Sequence, residues 1–168
     1  MRNNHAKFIA LGGILAALAM VVMCLGGLIP LATYACPMLC AVLLHVLLQL
    51  TGKRIGWAWY AAVAILSLLL APDKEAAVIF VFLGYYPLVK PLFDRMPLSW
   101  LFKCIFFNGM IFLAYGVLIF VMGLHGILAE FQELGAVMSI ATLLLGNSTL
   151  FMLDWFLKRV STMFRRKK

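Results

Sequence analysis

Three consecutive ionisable residues, Asp73, Lys74 and Glu75, stand between two long apolar segments. A helix carrying them at mid-bilayer would lose roughly 2.5–3.5 kcal/mol per charge, so they mark a turn at a membrane surface. Other residues able to do chemistry are sparse. Cys36 and Cys40, one turn apart, put two thiols on one helical face. No nearby His or Cys completes a zinc pattern, so the thiols read as packing residues and no metal site is expected. His45 and Gln49 are also one turn apart, and His45 reads as a hydrogen-bonded packing residue rather than a ligand. With 3 His and 6 acids, mostly at helix ends, general acid–base catalysis has few candidates. There is no Gly-rich phosphate loop, no HExxH and no GxSxG. The chain is therefore not expected to be an enzyme, and no cofactor is expected. No ionisable residue is placed deep in the first, third, fifth or sixth helix. That argues against a proton- or ion-coupled pump, whose relays are buried acids.

The elements around these residues follow from composition. The chain is 65% hydrophobic and 12% charged over 168 residues, against about 45–50% and about 25% in a soluble domain. One small core cannot bury that excess, so the expected solvent is the lipid bilayer. The net charge of +8 fits basic residues at the mouths of membrane helices. No nucleic-acid partner is expected, because no basic stretch is interleaved with exposed aromatics.

The expected fold is all-α: a polytopic membrane protein with six transmembrane helices in one membrane domain, residues 1–168. The helices are placed at about 8–28, 36–50, 55–71, 76–93, 99–124 and 134–156, and 157–168 is a basic tail. The first apolar run is longer than the 7–15 residues of a signal-peptide core and is expected to remain as a spanning helix. Its small residues fall on two neighbouring faces, Ala6, Ala10, Gly13 and Ala17 on one, Gly12, Ala16 and Ala19 on the other. Small faces let helices approach closely in lipid, either within the bundle or against another protein. Trp57, Trp59 and Tyr60 open the third helix as an interfacial aromatic belt. The fourth helix contains Gly84, Pro87 and Pro91. Pro87 lacks a donor and crowds the carbonyl four residues back, so this helix should bend or break between Gly84 and Pro91 with that face turned inward. Asn108 and Tyr115 share a face of the fifth helix. A weakly polar stripe of Ser139, Thr142, Gly146 and Thr149 runs along the sixth, beside Asn147.

Six spans put both termini on one side, together with all but one of the 14 basic residues; Lys74 alone lies opposite. The positive-inside rule then makes both termini cytoplasmic. It leaves 73–75 and 126–133 outside, with 51–54 and 94–97 inside.

Six short helices, both ends inside, a small-residue first helix and no ATPase motif together resemble an S component, the substrate-binding membrane subunit of energy-coupling factor transporters. In that family a small-residue motif on the first helix docks on the transmembrane coupling subunit of the ATPase module; Ala6 and Ala10, or Gly13 and Ala17, stand at matching spacing. The resemblance implies capture of a vitamin-like micronutrient in a bacterial cytoplasmic (inner) membrane. It implies a pocket near the outer face, at Thr33, Tyr34, Asp73, Lys74, Glu75, His125, Glu130 and Gln132. Each of these also reads as a solvated loop residue. The stretch from Pro72 to Pro91 is also similar to a family of small uncharacterised membrane proteins of clostridial and related bacteria, which implies no function. The alternative class is a structural scaffold of the cell envelope, of which the rod-shape-determining D-type protein has a similar size and helix count.

Overall fold

The computed structural model describes residues 2–26, 32–95, 97–121 and 125–165, with side chains described for 6–26, 32–95, 97–121, 135, 137 and 140–163. Seven helical segments follow one another: α1 (Arg2–Gly26), α2 (Ala32–Thr51), α3 (Lys53–Leu70), α4 (Lys74–Leu83), α5 (Tyr86–Phe93), α6 (Ser99–Phe120) and α7 (His125–Arg165). Six stretches are long and apolar enough to cross a membrane: Ala6–Gly26, Ala32–Thr51, Lys53–Leu70, Lys74–Phe93, Ser99–Phe120 and Ile140–Met163. The protein is thus an all-α membrane protein with six spans, as its composition demands. The spans alternate in direction. One end of the bundle, here the terminal end, carries the starts of α1 and α3 and the ends of α2, α5 and α7; the other is the distal end.

Helix α2 is the hub, packed against α1, α3, α4, α5 and α7. One half of the core lies among α1, α2, α3 and α4, around Met23, Leu44, Trp59 and Phe80. The other lies among α2, α4, α5, α6 and α7, around Ala41, Tyr86, Phe107 and Leu153. The α4–α5 span divides the halves and is the most buried of the six. Helix α1 meets the bundle through buried Gly12, Ala19 and Met23, and Trp59 Nε1–H donates to the Gly12 carbonyl at 3.0 Å. That indole bond spends the donor of a large side chain inside the bundle, where an unpaired one would be costly. The residues facing away from α2 and α3, among them Ile9, Ile14 and Val21, are exposed and form lipid-facing surface.

The break expected in the fourth span is present. Asp73 caps its start, accepting from Ala76 N–H at 3.1 Å, as a short acidic N-cap does. Helix α4 then ends at Leu83, and α5 begins at Tyr86 with Pro87 in its first turn. Gly84 is required at this joint, since a Cβ there would collide with the carbonyl oxygen and ring of Phe80. Tyr60 Oη–H donates to the Val81 carbonyl next to the break. Pro87 is buried, so the interrupted backbone faces protein rather than lipid.

Three boundaries differ from expectation. Helix α2 starts at Ala32, so Pro37 lies beyond its first turn. The stretch 125–133, expected as a loop, is helical and continues into the last span across Gly135, whose φ of 50° and ψ of −123° suit a residue without Cβ. That span was expected to close at Phe156, yet the helix runs to Arg165. Much of the segment read as a tail is therefore helix, and Asp154 lies well inside it.

Candidate functional site

Polar side chains gather at both ends of the bundle. At the distal end, the first turn of α2 supplies Thr33 and Tyr34, the start of α4 supplies Asp73 and Glu75, and α6 supplies Tyr115. Thr33 Oγ1–H donates to Asp73 Oδ2 at 2.9 Å, on the carboxylate whose other oxygen caps α4. Tyr115 Oη–H donates to Glu75 Oε1 at 2.5 Å. The Tyr34 and Tyr115 hydroxyls are 2.5 Å apart. A phenol has one proton, so with that of Tyr115 given to Glu75, Tyr34 is the donor to Tyr115. The protons run one way, from Tyr34 through Tyr115 to the carboxylate. All five side chains are only half-buried. Three helices brought together by two phenols, a hydroxyl and two carboxylates make a surface that can hydrogen-bond a polar ligand.

Of the residues expected here, Thr33, Tyr34, Asp73 and Glu75 are brought together. Lys74 is not part of the group. Its Nζ donates to the carbonyls of Leu68 and Leu69, at 3.0 and 3.5 Å, where a cation caps the C-terminus of α3. The side chains of His125, Glu130 and Gln132 lie outside the described residues. Tyr115 is an addition; its place on the Asn108 face of α6 was legible, its partner on α4 was not.

Beneath Tyr34 runs an apolar cavity of about 20 Å³, lined by Pro37 and Ala41 of α2, Leu83 and Gly84 at the α4–α5 joint, and Gly146, Leu150 and Leu153 of α7. A ligand of drug or vitamin size needs roughly 300 Å³ or more. This cavity is too small for such a ligand.

At the terminal end the pattern corrects an expectation. Lys103 of α6 and Asp154 of α7 are buried, at 3% and 7% exposure, as is Lys90 of α5 at 5%. The fifth and sixth spans therefore do carry internal ionisable residues, and the case against ion coupling that rested on their absence is withdrawn. Asp154 Oδ1 accepts from Tyr86 Oη–H at 2.5 Å and from Lys90 Nζ. Lys103 Nζ lies 3.2 Å from both Asp154 carboxylate oxygens. Lys103 also reaches Asp94, at the C-cap of α5, at 2.5 Å, and Lys90 stands 3.7 Å from the same residue. Lys158, one turn along α7 and largely exposed, is 3.5 Å from Asp154. Tyr86 packs edge-on against Phe107 with ring centroids 5.0 Å apart, and Phe93 and Phe106 add a further aromatic wall. The low dielectric of that wall strengthens the pairing and makes any unpaired charge expensive.

Two further polar contacts stand apart from these clusters. Asn108 and Asn147 exchange amide hydrogen bonds at 3.0 and 3.4 Å, and each amide also donates to the carbonyl one turn back in its own helix. Ser161 Oγ–H donates to the Leu157 carbonyl at 2.9 Å, so it accepts from His45 Nε2–H at 2.8 Å. His45 Nδ1 is then buried with no hydrogen-bond partner among the described residues. Gln49 Nε2 lies 3.4 Å from His45 Nε2.

The expected docking residues Ala6, Ala10, Gly13 and Ala17 are all exposed on one face of α1, and a Cβ at Gly13 would meet nothing within 4 Å. Among the described residues no group of three or more His, Cys, Asp or Glu could hold a metal ion. Comparison with protein-family models, with curated proteins and with solved structures yields no match to this chain.

Proposed function

We propose that this protein is a substrate-capture subunit of a micronutrient importer in a bacterial cytoplasmic membrane, without catalysis of its own and energised by a partner ATPase module. Both termini then face the cytoplasm and the distal end faces outward. The observation that carries this is the convergence of Thr33, Tyr34, Asp73, Glu75 and Tyr115 from three helices at the end remote from nearly all basic residues. A polar group that only held helices together would serve equally well buried; this one is half-buried, as a ligand surface must be. The exposed Ala6–Ala10–Gly13–Ala17 face supports a second element of the proposal, a coupling subunit docked on α1, because none of the described residues covers it.

The rival is a structural scaffold of the cell envelope, favoured by the small volume of the internal cavity. One experiment separates the two. Protein purified from its native membrane is extracted and the extract examined by mass spectrometry, in parallel with Tyr115→Phe and Glu75→Gln. Capture predicts a small molecule that accompanies the unaltered protein and is lost from both variants while their melting temperatures hold. No small molecule and no ATPase in the purified material would leave the scaffold standing.

A further inference from the structure

The geometry points to α5 as a gate at the terminal end: a half-helix hinged at Gly84–Tyr85 and latched onto Asp154.

The hinge is the α4–α5 joint. The helical ladder does not run through it. Gly84 N–H closes the last turn of α4 on Phe80 O at 2.7 Å, and Leu88 N–H restarts on Tyr85 O at 2.9 Å, with no donor at Pro87 between them. Rotating α5 about this joint therefore breaks few backbone hydrogen bonds. The next residues carry a regular pattern: Tyr86, Lys90 and Asp94 succeed one another at four-residue spacing, on one face of α5. All three belong to the terminal-end cluster.

The latch is Asp154. Its carboxylate draws Tyr86 and Lys90 of α5 and Lys103 of α6 onto α7, so one side chain holds three helices in register. Such a cluster is a switch more than a source of net stability, because the desolvation of its charges offsets much of their attraction. Lys90 and Lys103 each sit within about one turn of a helix end. Their long stems let the ammonium groups reach the interface when the carboxylate releases them. Open and closed arrangements are both chemically satisfied, which is what a two-position element requires.

The cavity under Tyr34 is lined by Leu83 and Gly84 at the hinge and by Leu150 and Leu153 of α7, the helix that carries the latch. Tyr34, whose hydroxyl belongs to the distal group, also lines it. The inference rests on the substrate-capture reading for its purpose but not for its geometry.

The test uses full-length protein in nanodiscs and hydrogen–deuterium exchange over 84–95. Two variants are compared with the unaltered chain: Tyr86→Phe, and the charge-balanced pair Lys90→Gln with Asp154→Asn, which leaves Lys103 to Asp94. A latch predicts that exchange in α5 rises about tenfold in the pair and by less in Tyr86→Phe, with α1 and α2 unchanged. If the pair fails to fold, Tyr86→Phe alone decides by the same comparison. Unchanged α5, or an equal rise in every helix, overturns the latch. The ligand measurement above distinguishes the two failures: a captured ligand with an immobile α5 sinks the gate alone, and a mobile α5 with no ligand sinks the capture reading alone.

Discussion

Each end of the bundle holds a carboxylate that accepts a tyrosine hydroxyl, and the two are built to different ends. Asp154 is buried and closed upon by two ammonium groups as well as Tyr86. Asp73 and Glu75 are half-buried and bonded by Thr33, Tyr115 and a backbone amide, while Lys74 turns to the end of α3. Fixed ammonium groups cancel a carboxylate's charge and hold the helices that carry them. Hydroxyls solvate a carboxylate without cancelling its charge, and a ligand's donors can replace them at little cost. The contrast teaches that the same tyrosine–carboxylate pair serves as a clasp or as a recognition surface according to its counter-charge and its access to water.

Breaking the clasp should cost most. Asp154→Ala leaves two buried ammonium groups to share the single carboxylate of Asp94 and is expected to lower unfolding stability by about 3–5 kcal/mol, read by denaturant titration of the micelle-embedded protein. A loss of under about 1 kcal/mol would put Asp154 on the footing of an exposed ion pair and erase the contrast. The Asn108–Asn147 exchange lies between the two ends and is neutral. Asn108→Leu should cost about 1–2 kcal/mol, and the double change with Asn147→Leu should recover most of it; no recovery would mean that the two amides are not coupled. At the distal end, Asp73→Ala removes a helix cap, worth about 1 kcal/mol. The larger consequence expected there is loss of ligand from the purified protein, and retained ligand would remove Asp73 from the recognition surface. The smallest effect belongs to α1. Gly13→Leu projects into open space and should change stability by no more than about 0.5 kcal/mol, yet prevent co-purification of a coupling subunit. A large fall in melting temperature would show that this face is internal after all.

Part of the distal group was legible because its residues crowd at two helix starts, Thr33–Tyr34 and Asp73–Glu75, where apolar runs give way to polar ones. Tyr115 was harder, since only the approach of α6 to α4 gives it a carboxylate. The terminal-end cluster was missed for a traceable reason. Closing the last helix at Phe156 left Asp154 at a membrane surface, where an acid needs no explanation; the helix in fact runs to Arg165. Lys90 and Lys103 were assigned to the basic side as interfacial charges for the same reason. A local signal was present in Tyr86, Lys90 and Asp94 at four-residue spacing, with Asp154 and Lys158 repeating that spacing on α7.

The sequence by itself determined the solvent, the number of spans and the break at Gly84–Pro87. Each depends on local quantities: apolar length against bilayer thickness, the missing donor of a proline, and the cost of charge in lipid. Tertiary structure alone decided which charges are interfacial and which are paired inside. A lysine near a helix end can snorkel to water or turn inward to an aspartate, and the two differ only in whether a neighbouring helix presents the carboxylate. Asp154 does so for Lys90, 64 residues away in the chain, and for Lys103, 51 residues away, and no local pattern specifies separations of that length.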